Sequence, residues 1–170
     1  METYTYASSY ISGFKKPVET ILKKQIKDVV IIKHLDGLII YKTNLKFSEL
    51  KIHFFNNTYQ VLALSATDTK TPYEKALKKF VNHTEPDLNG ISNNVNLSKS
   101  KSFKILTFDG NSPTSINFDI IKNLEHQIKQ KTNLKNEFQK HDFDIVLSRR
   151  SEGLFLLLFK LNYAHKLIAK

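Results

Sequence analysis

The segment 141–161, HDFDIVLSRRSEGLFLLLFKL, most restricts what this chain can fold into. Phe143, Ile145 and Leu147 alternate with Asp144, Val146 and Ser148, a period of two that is typical of a β-strand. Residues 149–153, RRSEG, then lead through a glycine into the apolar run 154–159. We therefore predict a β-hairpin with a basic turn. Because only residues 162–170 follow it, we expect binding rather than catalysis from this chain.

The composition indicates a globular, basic protein. A length of 170 residues with 41% hydrophobic residues allows one ordinary domain or two small ones with a real core. Lys and Arg number 26 and Asp and Glu 16, so the formal net charge is +10. This charge favours polyanions as partners, and simple solubility is the alternative explanation. The chain has no cysteine, which excludes disulfides and thiolate metal sites.

The N-terminal stretch METYTYASSY lacks the basic start and apolar core of a signal peptide. The apolar run 154–159 is too short to span a bilayer. We therefore expect a cytoplasmic protein.

The first part of the chain reads as strand, helix and hairpin. Residues 3–10 are rich in β-formers, and apolar residues recur at helical spacing from 14 to 26. Two β-branched arms surround Asp36 and Gly37, a dipeptide that favours a tight hairpin. A short helix near 47–50 and a strand over 59–64 are predicted next. A second helix follows up to about residue 81, with Thr71 as its N-cap and Pro72 in its first turn.

The second part repeats this order. Residues 83–100 are dominated by Asn, Ser, Asp, Gly and Pro and are predicted to be a linker. A strand near 102–108, a helix over about 115–131 and the hairpin follow. We predict an α+β protein of two small modules, 1–82 and 101–161, with a C-terminal connector at 162–170.

Candidate binding residues lie in three places of the second module. Lys101 and Lys104 lie on or just before its first predicted strand, where they could extend a basic face. Residues 109–115, DGNSPTS, stand between the predicted strand and helix, where free backbone N–H groups at a helix N-terminus could bind phosphate. Ordinary helix capping is the alternative. Two arginines stand at the hairpin turn, where at least one must face solvent. The candidate contacts are Lys101, Lys104, Asn111, Ser112, Thr114, Ser115, Arg149 and Arg150.

The sequence offers little support for catalysis. The six histidines occur singly and never in a metal-ligand spacing, so no metal site is predicted. No GxSxG or Gly-rich dinucleotide motif is present, nor is the Asn/Asp-Pro-Pro-Tyr/Phe string of amino-methylating enzymes.

The order of these parts resembles the N-terminal half of THUMP-domain RNA methyltransferases, particularly those that methylate a guanine of tRNA. Residues 6–43 look like the ferredoxin-like module that begins those proteins, with a glycine opening the helix and an Asp-Gly hairpin. Residues 108–161 look like the THUMP module, including the KTNL helix end and the RRSEG turn. Residues 162–170 resemble the connector to the catalytic domain.

The resemblance implies recognition of structured RNA, typically tRNA, through its backbone and shape rather than its bases. It implies no cofactor in this chain, with S-adenosylmethionine bound only by a catalytic domain supplied elsewhere. We expect replacement of Arg149 and Arg150 by alanine to weaken RNA binding and to leave the fold intact. The rival hypothesis is a protein-interaction scaffold that pairs with a separate methyltransferase subunit through an exposed sheet edge or its C-terminal tail.

Overall fold

The strands of the two halves join in one sheet. The computed structural model describes residues 2–52, 54–97, 101–137 and 141–161. In this part of the chain the sheet has the order β2-β3-β1-β4-β9-β8-β5-β6, and β7 pairs with β5. The strands are β1 Tyr4–Ser9, β2 Val30–Leu35, β3 Leu38–Thr43, β4 Asn57–Ala66, β5 Ser102–Asp109, β6 Ser112–Pro113, β7 Lys135–Asn136, β8 Phe143–Arg150 and β9 Leu154–Lys160.

The sheet is mixed and is covered by helices on one face. β5 runs parallel to β8 and to β7, whereas the other neighbours are antiparallel. The helices are α1 Lys15–Gln25, α2 Tyr73–His83, the single turn α3 Ile91–Asn94 and α4 Lys122–Thr132. Short 3-10 turns occupy Phe47–Glu49 and Phe118–Ile120. The predicted α+β class is confirmed. None of the helices in the described ranges is long and apolar enough to cross a membrane.

Each long helix buries one stripe of side chains against the sheet. In α1 the buried residues are Val18 and Leu22, with Ile26 at the C-cap, a spacing of four. Phe14 and Ile21, which the sequence pattern places on the same apolar face, are 53% and 37% exposed. Phe14 lies at the non-helical N-cap, and Ile21 is about 100° around the helix from Leu22. The buried face of α1 is therefore narrower than the apolar face that the sequence pattern predicts.

The helix predicted over 115–131 begins later than expected. Ser112 and Pro113 pair with β5, and the Thr114 N–H donates to the Thr107 carbonyl at 2.9 Å. The Asn117 side chain then accepts a hydrogen bond from the Asp119 N–H, which starts a 3-10 turn before α4. The prediction that residues 109–115 lead directly into a helix N-terminus is wrong, because residues 110–111 form a tight turn and Ser112 and Pro113 form β6.

The expected N-cap of α2 is also wrong. Pro72 occupies the N-cap and makes no side-chain cap, since it has no donor or acceptor there. The Thr71 hydroxyl donates instead to the Asp68 carboxylate at 3.1 Å. The predicted helix itself is present as α2, in which Tyr73, Ala76, Leu77 and Phe80 are buried at helical spacing.

The predicted linker packs on the first half of the sheet. The Asp87 N–H donates to the Leu62 carbonyl at 2.7 Å, and Ile91 is fully buried. The Asn94 amide donates to Gln60 at 2.8 Å.

The two halves of the sheet are connected by the pairing of β4 with β9, in which Tyr59 lies opposite Lys160. The division into modules stays a prediction, and the connector 162–170 lies outside the described residues.

The second face of the sheet is concave and partly closes on itself. Its apolar cluster consists of strand residues, and Ala7, Ile40 and Leu156 in it are 0% exposed. The Arg150 guanidinium donates to the Asp36 carbonyl at 3.3 Å, although four strand intervals separate β3 from β8. In a flat sheet these strands would be about 19 Å apart. The curl of the sheet therefore brings its two distant hairpin turns together.

Candidate functional site

Three connections meet at one end of the sheet. β9 is antiparallel to β4 and to β8, and β5 is parallel to β8, so β4, β5 and β8 all end on the same side. The connections that follow them are 67–72, 110–111 and 151–153. The Thr67 N–H donates to the Gly153 carbonyl at 2.9 Å, and the Gly110 N–H donates to the Arg149 carbonyl at 2.7 Å. We call these three connections the loop end.

Arg149 holds the loop end together from inside. Its Nε and Nη2 donate to the two Asp109 carboxylate oxygens at 2.9 and 2.8 Å. Its Nη1 donates to the carbonyls of Asp68 and Thr71, and the guanidinium carbon lies 5.5 Å from the centre of the Tyr73 ring. The hydrogen bond from Arg149 holds the pKa of the Asp109 carboxyl below its usual range.

This arrangement changes the role of Arg149. Its side chain is only 6% exposed, and its donors are engaged by protein groups. The sequence predicts it as an RNA contact, yet the strand alternation that buries Ile145 and Leu147 also buries Arg149. We therefore assign it a positioning role, and its replacement should perturb the fold rather than leave it intact.

Arg150 points to the opposite, concave face. It pairs with Glu152 at 3.0 Å and keeps 26% of its side chain exposed. It shares a groove of about 320 Å³ with Asn111, so these two predicted contacts do lie together. Tyr59, Phe108 and Lys160 also line this groove.

The other predicted contacts are dispersed. Lys104, Thr114 and Ser115 line a separate groove along the outer edge of β5. Ser112 is exposed in β6 and lines neither groove. Lys101 lies before β5, at the strand end far from the loop end, 3.9 Å from the Asp142 carboxylate. These predicted contacts therefore do not lie on one continuous surface.

A groove beside α2 was missed by the sequence analysis. It has a volume of about 610 Å³ and is bordered by the 67–72 connection. Lys75, Lys79 and His83 line it and are exposed, and they repeat every four residues along the helix. Phe80 and Phe155 lie stacked in its lining with ring centres 4.8 Å apart. Its signal in the sequence is the i, i+4, i+8 spacing of basic residues along the border of the apolar stripe of α2.

Around this groove the acidic residue Asp68 has hydrogen-bond partners, whereas two of the lysines have no ion-pair partner in the part of the chain that the structure describes. The pKa of Asp68 is lowered by hydrogen bonds from the Lys70 N–H and the Thr71 hydroxyl. Within the described ranges, neither Lys75 nor Lys79 forms an ion pair. The same ranges hold no group of three His, Asp or Glu side chains that could bind a metal ion.

The fold is shared with parts of larger proteins. A possible methylase from Clostridium difficile 630 aligns with a TM-score of 0.56 and 17% identity over 94% of this chain and 41% of that chain. TrmN from Thermus thermophilus aligns at 0.55 and 11% over 95% and 47%. A 4-thiouridine synthetase solved with RNA and ATP aligns at 0.50 and 15% over 94% and 42%.

The chain thus spans less than half the length of each of these proteins. At such identities the likeness establishes a common fold and nothing finer. No protein-family model and no curated protein matches the sequence.

Proposed function

We propose that this chain binds RNA, and specifically tRNA, through the sugar-phosphate backbone, as the recognition part of an RNA-modifying enzyme. The observation that carries the proposal is the groove beside α2, where Lys75 and Lys79 face solvent next to the loop end. Unpaired lysines at regular spacing attract phosphates and release counterions on binding. The fold likeness to a synthetase solved with RNA supports the same class of partner.

Acidic groups at the loop end do not cancel this attraction. Asp109 is paired with Arg149, Glu152 with Arg150, and Asp68 accepts hydrogen bonds from its own connection. The two arginines offset the charges of Asp109 and Glu152, whereas Asp68 keeps its negative charge and is outnumbered by the two lysines of the groove. The formal net charge of +10 adds a long-range attraction for polyanions.

The finer proposal is a THUMP-type RNA methyltransferase, whose recognition half this chain represents. The likeness to a possible methylase and to TrmN supports it. In that arrangement a separate domain binds S-adenosylmethionine and performs the methyl transfer, while this chain orients the RNA. Arg150 and Asn111 in the concave groove remain proposed contacts, together with Lys101, Lys104, Ser112, Thr114 and Ser115 as weaker candidates.

The proposal is tested by measuring affinity for bulk tRNA in a filter-binding titration. Replacing both Lys75 and Lys79 by alanine should raise Kd by about tenfold, since two phosphate contacts are lost. The matched control is Lys24→Ala with Lys27→Ala, which removes the same charge from exposed positions in and after α1, outside the groove. Equal losses in the two double variants would show that net charge alone drives binding and would contradict the assigned site.

A further inference from the structure

The groove beside α2 extends past its two lysines to a histidine. His83 is the last residue of α2, follows Lys79 by four positions and lines the same groove. It is exposed, and within the described ranges it forms no ion pair. Lys75 and Lys79 contact RNA phosphates in the proposed function, whereas His83 has no role there yet.

The three basic side chains are spaced like the phosphates of one strand. Four residues of an α-helix advance about 6 Å along its axis. This step is close to the separation of neighbouring phosphates in one RNA strand. A strand that runs along α2 and contacts Lys75 and Lys79 therefore brings its next phosphate to His83.

The position of His83 suits an anion once the ring is protonated. Histidine gains its positive charge between about pH 8 and about pH 5. The C-terminal end of a helix carries a partial negative charge, which favours a cation at this position. Lys79, one turn earlier, repels a second positive charge, and a phosphate bound between the two side chains offsets that repulsion. Protonation of the ring and binding of a phosphate therefore favour each other.

The charged groups around His83 are Lys79 on its own helix, Asp68 across the groove, and Glu85 and Asp87 in the segment that follows α2. Among the described residues, Asp68 is the one acidic residue of the lining, and it belongs to the connection before α2, at the other end of the helix. Glu85 and Asp87 are exposed, and neither forms an ion pair within the described ranges. β4 and β9 supply the uncharged lining residues Ser65, Ala66 and Phe155. A phosphate at His83 therefore does not compete with an ion pair of the protein.

We propose that the groove beside α2 binds three consecutive phosphates of one RNA strand, two on Lys75 and Lys79 and the third on the protonated imidazole of His83. The inference rests on the proposed RNA-binding function and deepens it. The protonated ring donates an N–H to a phosphate oxygen and adds one positive charge to the site. RNA affinity therefore rises as the pH falls through the range in which histidine titrates, and RNA binding draws a proton onto the ring.

The experiment measures the salt dependence of bulk tRNA affinity for the full chain by filter binding, at about pH 5.5 and about pH 8, toward the two ends of the titration range of histidine. The slope of log K against log salt for the wild type should be steeper by about one at the acidic pH, because one more phosphate is contacted. His83→Gln should lose this difference between the two pH values. His83→Lys is charged at both pH values and should show the steep slope at both.

The matched control is His126→Gln, which replaces an exposed histidine of α4 outside the groove. Its slope should steepen in acid as the wild-type slope does. The inference is overturned if the wild-type slope is equal at the two pH values, if His83→Gln steepens as much as the wild type, or if His83→Lys is no steeper than the wild type at alkaline pH.

The proposed function is tested separately by Lys75→Ala with Lys79→Ala at alkaline pH. If this double variant loses two contacts while the His83 variants behave like the wild type, the RNA site stands and the third contact falls. If the double variant also keeps the wild-type slope, the RNA site itself falls.

Discussion

At the scale of single residues, Arg149 stabilises the loop end from a buried position without being exposed at the surface itself. Side chains alternate between the two faces along β8, and this alternation places Arg149 on the helical face. There its guanidinium donates hydrogen bonds to Asp109 at the end of β5 and to the connection before α2. Arg150, the next residue, faces the concave side. The two arginines, alike in the sequence, therefore have different roles.

This difference predicts different stabilities for matched variants. Arg149→Met should lower the free energy of unfolding by about 2 kcal/mol, because two backbone carbonyls and a half-buried carboxylate lose their donor. Arg150→Met should change it by less than about 0.5 kcal/mol, since its pair with Glu152 is near the surface. Urea unfolding followed by circular dichroism measures both. Equal midpoints for the two variants would refute the positioning role.

The Asp109–Arg149 pair also predicts a pH dependence. The pKa of Asp109 is lowered in the folded state, so the pair stabilises the fold above the ordinary carboxyl pKa of about 4. That stabilisation is lost as the pH falls through the lowered value. Compared with Asp109→Asn, the wild type should be more stable at neutral pH, and the difference should shrink in acid. A difference that stays constant between neutral and acidic pH in urea titrations would disagree with this account.

At the scale of elements, the last hairpin depends on a glycine for two reasons. Gly153 has a φ of +87°, and an added Cβ would lie 3.2 Å from the Thr67 carbonyl oxygen. Gly110 has a φ of +61°, but nothing lies within 4 Å of its Cβ position. The first glycine is thus required by conformation and by contact, the second by conformation alone.

Alanine at these two positions separates the two reasons. Gly110→Ala should cost about 1 kcal/mol of unfolding free energy, the usual penalty of a left-handed backbone. Gly153→Ala should cost clearly more, because the Thr67 carbonyl belongs to the backbone and is held by the Thr67 N–H bond to Gly153. Thermal unfolding of both variants decides the point. A smaller loss for Gly153→Ala would contradict the close contact between turn and connection.

Elements with local signals were predictable from the sequence. The alternation over 143–148 and the Asp36-Gly37 turn are contained within a few residues, and both hairpins are present. The start of α4 was not, because the pairing of Ser112 and Pro113 with β5 competes with helix formation. The burial of Arg149 could have been read from the same alternation, since it follows Leu147 by two positions.

At the scale of the whole molecule, the decisive contacts are long-range. β4 pairs with β9, so residues far apart in sequence join the two halves into one sheet. No local pattern indicates this pairing or the curl that brings Arg150 to Asp36. The groove beside α2 has the same origin: its lysines are visible in the sequence, but Phe155 and the 67–72 connection reach it only through the fold.

The central claim is that RNA phosphates lie along the groove beside α2. The most direct test is the salt dependence of tRNA affinity for the wild type, for Lys75→Ala with Lys79→Ala, and for Lys24→Ala with Lys27→Ala. The slope of log K against log salt should fall by about two for the first double variant, one for each lost phosphate contact, and stay near the wild-type slope for the second. An unchanged slope for the Lys75 and Lys79 variant would contradict the claim.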